Sequence, residues 1–177
     1  FFKQDGVEKQ LYATQFESHH AREVFPCIDE PEAKATFQLT LTSPKDETVL
    51  SNTPIAKQEE VQSTKYKVNK GKKLGTTYSV LRTTFEQTPH MSTYLLAFVF
   101  GDFESKESKT AAGTVVRTYA TRDNIEFTDF ALETAVRCLE FYEDYFGIAY
   151  PLDKCDLIAL PDFASGAMEN WGCITFR

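Results

Sequence analysis

Between Ala35 and about Ala120 apolar and polar residues alternate in short runs, and the period is two. Thr36-Phe37-Gln38-Leu39-Thr40-Leu41 is the cleanest case: such a strand turns one face to a core and the other to water. Thr77 to Phe85, Tyr94 to Phe100 and Thr114 to Tyr119 are rich in Thr, Val, Tyr and Phe, and Gly71, Gly75, Pro89, Gly101 and Gly113 punctuate them as turns. Strands at this spacing with no helix between them predict antiparallel sheets. Two charged tracts, Lys57 to Glu60 and Glu104 to Lys109, mix signs beside strand signals and read as solvated loops or sheet edges.

After Arg122 the period lengthens. Phe127, Phe130, Ala131, Thr134, Cys138, Phe141, Tyr142 and Tyr145 recur every three to four residues, the period of one helical face. A capping box of Asp123 and Glu126 opens the predicted helix Asn124 to Phe146, and Gly147 and Pro151 stop it. Asp156 to Leu160 reads as a short buried strand, and Trp171 to Phe176 as a strand still running when the chain ends at Arg177. The expected class is mainly β with α, divided near residue 121 into a β-rich part, 1–121, and the opening of an α+β part, 122–177. A start at Phe1-Phe2 without methionine, with that open final strand, leads to the expectation of a fragment.

Composition narrows the function. At 177 residues with 42% hydrophobic positions, the chain is long enough to bury a core. Its formal net charge of −7 repels phosphate backbones, so nucleic acid is not an expected partner. The longest apolar run, Tyr94 to Phe100, is far below the roughly 20 residues of a membrane-spanning helix, so no span is expected. Cys27, Cys138, Cys155 and Cys173 form no C-x-x-C pair and read as buried or partly buried free thiols, which leads to a cytoplasmic expectation.

Much chemistry is absent from the pattern. His19, His20 and His90 do not form His-Glu-x-x-His, which would set two imidazoles on one helical face around zinc, and the adjacent pair reads as loop histidines. No Gly-x-Ser-x-Gly elbow or Gly-rich phosphate loop occurs, and the nearness of Cys27 to His19 and His20 is in sequence only. Two segments remain. Thr14-Gln15-Phe16-Glu17, with Ala21-Arg22 and Phe25 to Pro31, is a charged, proline-bearing and aromatic turn region; Glu17 there is either a solvated side chain or an acceptor for a cationic ligand. Pro161 to Gly172 contains Gly166 and Ala167, small enough for close backbone approach, then Glu169 beside the only tryptophan. On pattern alone it is either a turn before a strand or a rim that receives an extended peptide.

Gly166-Ala167-Met168-Glu169-Asn170, preceded by Ala159 to Ala164 and followed by Trp171-Gly172, resembles the exopeptidase motif of the M1 family of zinc aminopeptidases. Thr14 to Glu17, Ala21-Arg22, Phe25 to Phe37 and Phe141 to Gly147 are similar to other stretches of that family, so the resemblance covers essentially the whole chain. It implies the end of an antiparallel, saddle-like N-terminal β-sheet domain, followed by the opening helix and strands of a truncated, thermolysin-like α+β catalytic domain. It also implies that Glu169 and Glu17 bind the substrate's free α-amino group, that Gln15, Ser165 and Met168 shape the first specificity pocket, and that the backbone at Gly166 and Ala167 binds the substrate main chain. Two carboxylates around one ammonium suit a buried positive charge. Asn170, Trp171 and Asp29 are expected to be structural supports.

The zinc-binding helix, the more distant glutamate ligand and the tyrosine of the family would follow this motif, and none is in this sequence. The expectation is therefore one zinc ion in the complete protein with no ligand and no catalytic residue in this chain. The implied partners are peptides with a free N-terminus. An M1-like protein that has lost its zinc ligands and only binds peptides is the alternative, and the isolated chain is expected to be inactive.

Overall fold

The computed structural model describes residues 2–4, 6–69 and 72–177; Gly71, one of the expected turn positions, lies outside the described residues. The short strands β1 (Phe2–Gln4) and β2 (Val7–Lys9) pair antiparallel with each other. β3 (Tyr12–Ala13) and β5 (Thr48–Ser51) flank β8 (Phe98–Gly101) in an antiparallel three-stranded sheet. β4 (Thr40–Ser43), β7 (Lys72–Phe85) and β6 (Ile55–Asn69) form a second, in the order β4-β7-β6. Thr and Val recur along the β6–β7 ribbon, side chains that suit a pleated, half-buried surface.

The remaining sheet has five strands in the order β12-β13-β11-β10-β9: β9 (Glu104–Lys109), β10 (Val115–Ala120), β11 (Lys154–Ala159), β12 (Ala167–Met168) and β13 (Cys173–Phe176). β10 and β11 run parallel and are linked through the helix α1 (Asp129–Phe146); β11 and β13 are also parallel, and the two outer pairings are antiparallel. A parallel pair needs such a crossover because its strands start at the same end. The architecture is thus mainly β with one α-helix among the described residues, as the pattern predicts.

Several expectations shift in detail. Residues 36–39 belong to no strand, although the Leu39 and Phe37 carbonyls accept the Phe85 and Thr88 N–H groups, both at 3.0 Å; Phe37 donates its own N–H to the Thr88 hydroxyl at 2.9 Å, and the strand begins at Thr40. Tyr94 belongs to a 3₁₀ turn, Thr93–Leu95, ahead of β8. Both charged tracts lie in edge strands, β6 and β9, where alternate side chains meet water.

The helix differs most. A 3₁₀ turn at Ile125–Thr128 precedes it and buries Ile125, so α1 begins at Asp129 and the Asp123–Glu126 box does not sit at its first turn. Thr128 uses its hydroxyl on the Ile125 carbonyl at 2.8 Å, and Asp129 meets Lys106 of β9 at 2.6 Å. Gly147 closes the helix in the left-handed conformation with φ 65°. The stripe turned to the sheet holds Leu132, 9% exposed, with the half-buried Ala135, Val136 and Leu139. The aromatic stripe read from the pattern lies elsewhere on the helix: Phe130 is 82% and Tyr145 69% exposed. Two apolar stripes satisfy the same period, and the sheet covers only the aliphatic one.

One hydrophobic cluster joins the early and the late parts of the chain. It joins Phe16, Ala21, Leu50, Met91, Leu95 to Ala97, Val99 and Phe103 to Ile158, Leu160, Phe163, Met168 and Cys173. The segments carrying the candidate residues are therefore packed on one another.

Candidate functional site

β8 and the loop after β11 build the site. Thr14 is stitched to β8, donating its N–H to the Phe98 carbonyl at 3.2 Å and accepting the Phe98 N–H on its hydroxyl at 3.0 Å. Phe16 then enters the core at 3% exposure, making edge contacts with Phe25 and Phe98 whose ring centroids lie 6.2 Å away. With Phe16 buried, Gln15 is half-buried on one side of it and Glu17 exposed on the other.

The second segment folds back as β12, antiparallel to β13 with Ala167 opposite Phe176 and Met168 opposite Thr175. Met168 and Asn170 are both buried, at 0% and 1% exposure, and Glu169 between them is exposed. Its backbone is clamped on both sides while its carboxylate projects from the rim.

Gln15 reaches this loop directly, donating Nε2–H to the Met168 sulfur at 3.4 Å. The Gln15 Oε1, Asn170 Nδ2 and Thr175 Oγ1 atoms are buried without a hydrogen-bond partner among the described residues. Buried polar groups are seldom left so. Gln15 and Met168 are thus brought together, and Asn170 and Thr175 flank Met168 in chain and in register. Glu17 and Glu169 are both exposed and form no ion pair among the described residues.

β12 is an outer strand, bonded only to β13, so its other edge is open. Gly166 and Ala167 are exposed and Ser165 half-buried. A Cβ on Gly166 would meet no atom within 4 Å, so no packing among the described residues requires glycine there. Its carbonyl already accepts the Arg177 N–H at 3.1 Å, which leaves less of this backbone open than the sequence suggests.

The loop is held from below by groups that sequence reading did not single out. Asn52, 1% exposed, donates Nδ2–H to the carbonyls of Leu95 and Trp171, both at 2.8 Å, and accepts the Ala97 N–H at 2.9 Å. Lys154, 4% exposed, donates to the Gly172 carbonyl at 2.7 Å, to Asp156 at 2.6 Å and to the Ser51 carbonyl. Burial raises the Asp156 carboxyl above its ordinary value against the pull of Lys154. A lysine in a strand otherwise rich in apolar residues was the one signal in sequence.

Asp29 is buried, with its carboxylate taking the Thr93 hydroxyl at 2.6 Å and the Arg22 N–H at 3.1 Å. Burial raises its pKa, but these hydrogen bonds and the Arg22 guanidinium outweigh that and hold it below its ordinary value. His19 and His20 sit on an exposed turn with rings stacked 4.7 Å apart, and His20 faces Glu23 at 2.8 Å. The Cys27 thiol is pushed up by burial and by the Asp29 carboxylate, the opposite of what a nucleophile needs. All four cysteines are unpaired; Cys138 is exposed rather than buried, because it lies on the uncovered side of α1.

No cluster of three or more His, Cys, Asp or Glu side chains suited to a metal occurs among the described residues, and no helix of the described residues is long and apolar enough to cross a membrane. A crevice of about 360 Å³ between β5 and β10–β11 is lined by Arg117, Tyr119, Lys154 and Asp156 and shares none of the candidate residues.

Comparison with known proteins gives a consistent picture. The model of the peptidase M1 N-terminal domain matches residues 1–95, and that of the peptidase family M1 domain matches residues 130–177. Aminopeptidase N of Lactococcus lactis subsp. lactis is 49% identical over 181 residues, covering 100% of this chain and 19% of the relative. Endoplasmic reticulum aminopeptidase 1 of Rattus norvegicus is 44% identical over 174 residues, covering 98% of this chain and 17% of the relative. The human protein of that name is 44% identical over 173 residues, with the same shares. The chain thus spans about a fifth of the length of these relatives.

Proposed function

Since this chain belongs to peptidase family M1, we propose that the full-length protein is a zinc-dependent aminopeptidase that releases N-terminal amino acids from peptides. The observation that carries the proposal is Glu169, exposed on a rim between two buried neighbours, with Gln15 seated against the adjacent Met168. In this reading Glu169 and Glu17 accept hydrogen bonds from the substrate's α-ammonium group, which a charged acceptor strengthens where the site excludes water. A peptide with a blocked N-terminus would leave both carboxylates without that partner. Gln15, Ser165 and Met168 shape the pocket for the first side chain, and the open edge of β12 at Gly166 and Ala167 aligns the main chain as an added strand.

Family membership implies a metal cofactor, and zinc is the proposal, with its ligands proposed to come from the part of the protein that this chain, about a fifth of its relatives' length, does not span. When bound, zinc supplies Lewis-acid polarisation of the scissile carbonyl. The part played by this chain is to bind the amine and orient the peptide, and the isolated chain is proposed to be inactive. A division into an N-terminal and a catalytic part is proposed between the two matched regions, around residue 121, although β9 and β10 pair into the sheet of β11 to β13 and so side with the catalytic part. A cytoplasmic location is proposed with it.

The test is kinetic, in the full-length protein. Glu169→Gln should lower kcat/KM on free-amine peptides by the equivalent of ~2–5 kcal/mol, the scale for losing one member of a buried charge pair. N-acetylated peptides should be poor substrates for both proteins. An unchanged kcat/KM sinks the role of Glu169, and tight peptide binding with no turnover in the parent would favour the inactive, peptide-binding alternative.

A further inference from the structure

We infer that Asn52, at the end of β5 in the N-terminal part of the chain, is a positioning residue for the amine anchor Glu169, acting through the carbonyl of Trp171. The inference rests on the amine-binding role proposed above and adds to it the element that holds the anchor still.

Glu169 has no hydrogen bond or ion pair of its own among the described residues, so its location is set by its backbone. That backbone is fixed from within by Met168 in β12 and by a turn in which Cys173 donates its N–H to the Asn170 carbonyl at 3.0 Å. It is fixed from outside at two successive carbonyls. Trp171 receives Asn52 at 2.8 Å, and Gly172 receives Lys154 at 2.7 Å together with the Asp156 N–H at 3.1 Å. Lys154 and Asp156 belong to the sheet that already contains β12 and β13 and brace the loop against it, with Lys154 also donating to the Ser51 carbonyl of β5. Asn52 comes from a different sheet region, and its other two bonds, to the Leu95 carbonyl and the Ala97 N–H, tie it to the segment entering β8. β8 is also the strand that holds Thr14 and with it Gln15 and Glu17.

One buried amide therefore couples the two segments proposed to share the ammonium group. Its three bonds run to main-chain groups, whose spacing does not change with side-chain rotamers. Gly172 shows how close the approach is: it holds φ 66°, and a Cβ there would overlap the Asn52 carbonyl oxygen and come within 2.9 Å of Leu152. Only glycine lets the loop lie this near to Asn52.

A residue that merely stabilises the fold would, when lost, weaken all ligands alike. A positioning residue changes the preference for the amine. The experiment compares Ala-Ala-Phe with its propionyl counterpart, in which hydrogen replaces the α-amino group, as competing ligands of the full-length protein and of its Asn52→Ala variant. Circular dichroism and metal content of the two proteins are matched beforehand. The expected result is a roughly tenfold fall in the affinity ratio of amine to desamino ligand, the scale of one lost hydrogen bond, with the desamino ligand itself unchanged. Should Asn52→Ala not fold, Asn52→Ser is read against the same ratio, and a smaller fall in the same direction is expected. An unchanged ratio, or parallel weakening of both ligands, overturns the positioning role while the parent's own preference for the amine stands. A parent protein with no such preference overturns the amine-anchor reading, and this inference with it.

Discussion

Asp29 shows at the scale of one residue how a buried charge is kept. Its carboxylate is solvated by the protein itself, through the Thr93 hydroxyl, the Arg22 N–H and the nearby guanidinium. Burial alone would raise its pKa, and the fact that it is lowered from 3.8 shows that these donors win. A carboxyl depressed on folding contributes stability above its unfolded value and loses it as pH falls through its folded value. Asp29→Asn should thus destabilise the protein at neutral pH by ~1–3 kcal/mol, since an amide leaves some of these buried donors without an acceptor. The gap between variant and parent should begin to narrow as pH falls through about 3.8, the ordinary value that the unfolded chain keeps, and go on narrowing until pH passes the lowered folded value. Urea midpoints of both proteins at pH 7 and pH 3 give the answer, and a gap independent of pH would contradict the account. The supporting role expected for Asp29 was legible because Phe-Pro-Cys-Ile-Asp-Glu-Pro resembles a known motif. Asn52 was not legible, because an asparagine before Thr-Pro reads as turn chemistry and its three partners come from residues 43 to 119 positions away.

At the scale of an element, α1 carries two apolar stripes and only one is used by the described residues. Leu132 is buried against the sheet while Phe130 is 82% exposed, so the two substitutions should differ sharply. In this chain Leu132→Ala should cost ~2–5 kcal/mol, as expected for a cavity in packed surroundings. Phe130→Ala should stay within about 0.5 kcal/mol, as for an open surface position. Thermal unfolding of the two variants tests the contrast, and equal losses would place Phe130 in a core. Periodicity could not choose between the stripes, because 3.6 residues per turn fits both, and the aromatic one that stands out in the sequence is the one the described residues leave exposed. Strands were easier: β7 and β10 were visible as Thr- and Val-rich runs, whereas 36–39, with the same alternation, keeps only scattered bonds to residues 85 and 88, one of them from the Phe37 N–H to the Thr88 side chain. Edge strands were half visible, since charge marked β6 and β9 as solvated without saying that they pair.

The whole molecule turns on a core that ignores the division of the chain. Ile158, Leu160, Phe163, Met168 and Cys173 come from the last part, and they pack with Phe16, Leu95, Leu96 and Val99 from the first. Burying a side chain of this size contributes ~1.5–3 kcal/mol. The four larger ones together fall within the ~5–15 kcal/mol by which a typical domain is stable at all. A cut after residue 121 would also strip β11 from β10, exposing a row of backbone donors and acceptors and the buried Val116 and Ala120. The fragment 1–121 made alone should therefore show no cooperative unfolding and should associate in solution, whereas co-expression with 122–177 should return a soluble pair. Size-exclusion chromatography and thermal melts of the three preparations decide the matter. A cooperative, monomeric 1–121 would mean that the first part owns a sufficient core, and that the cluster linking Phe16 to Met168 positions the site without being needed for folding.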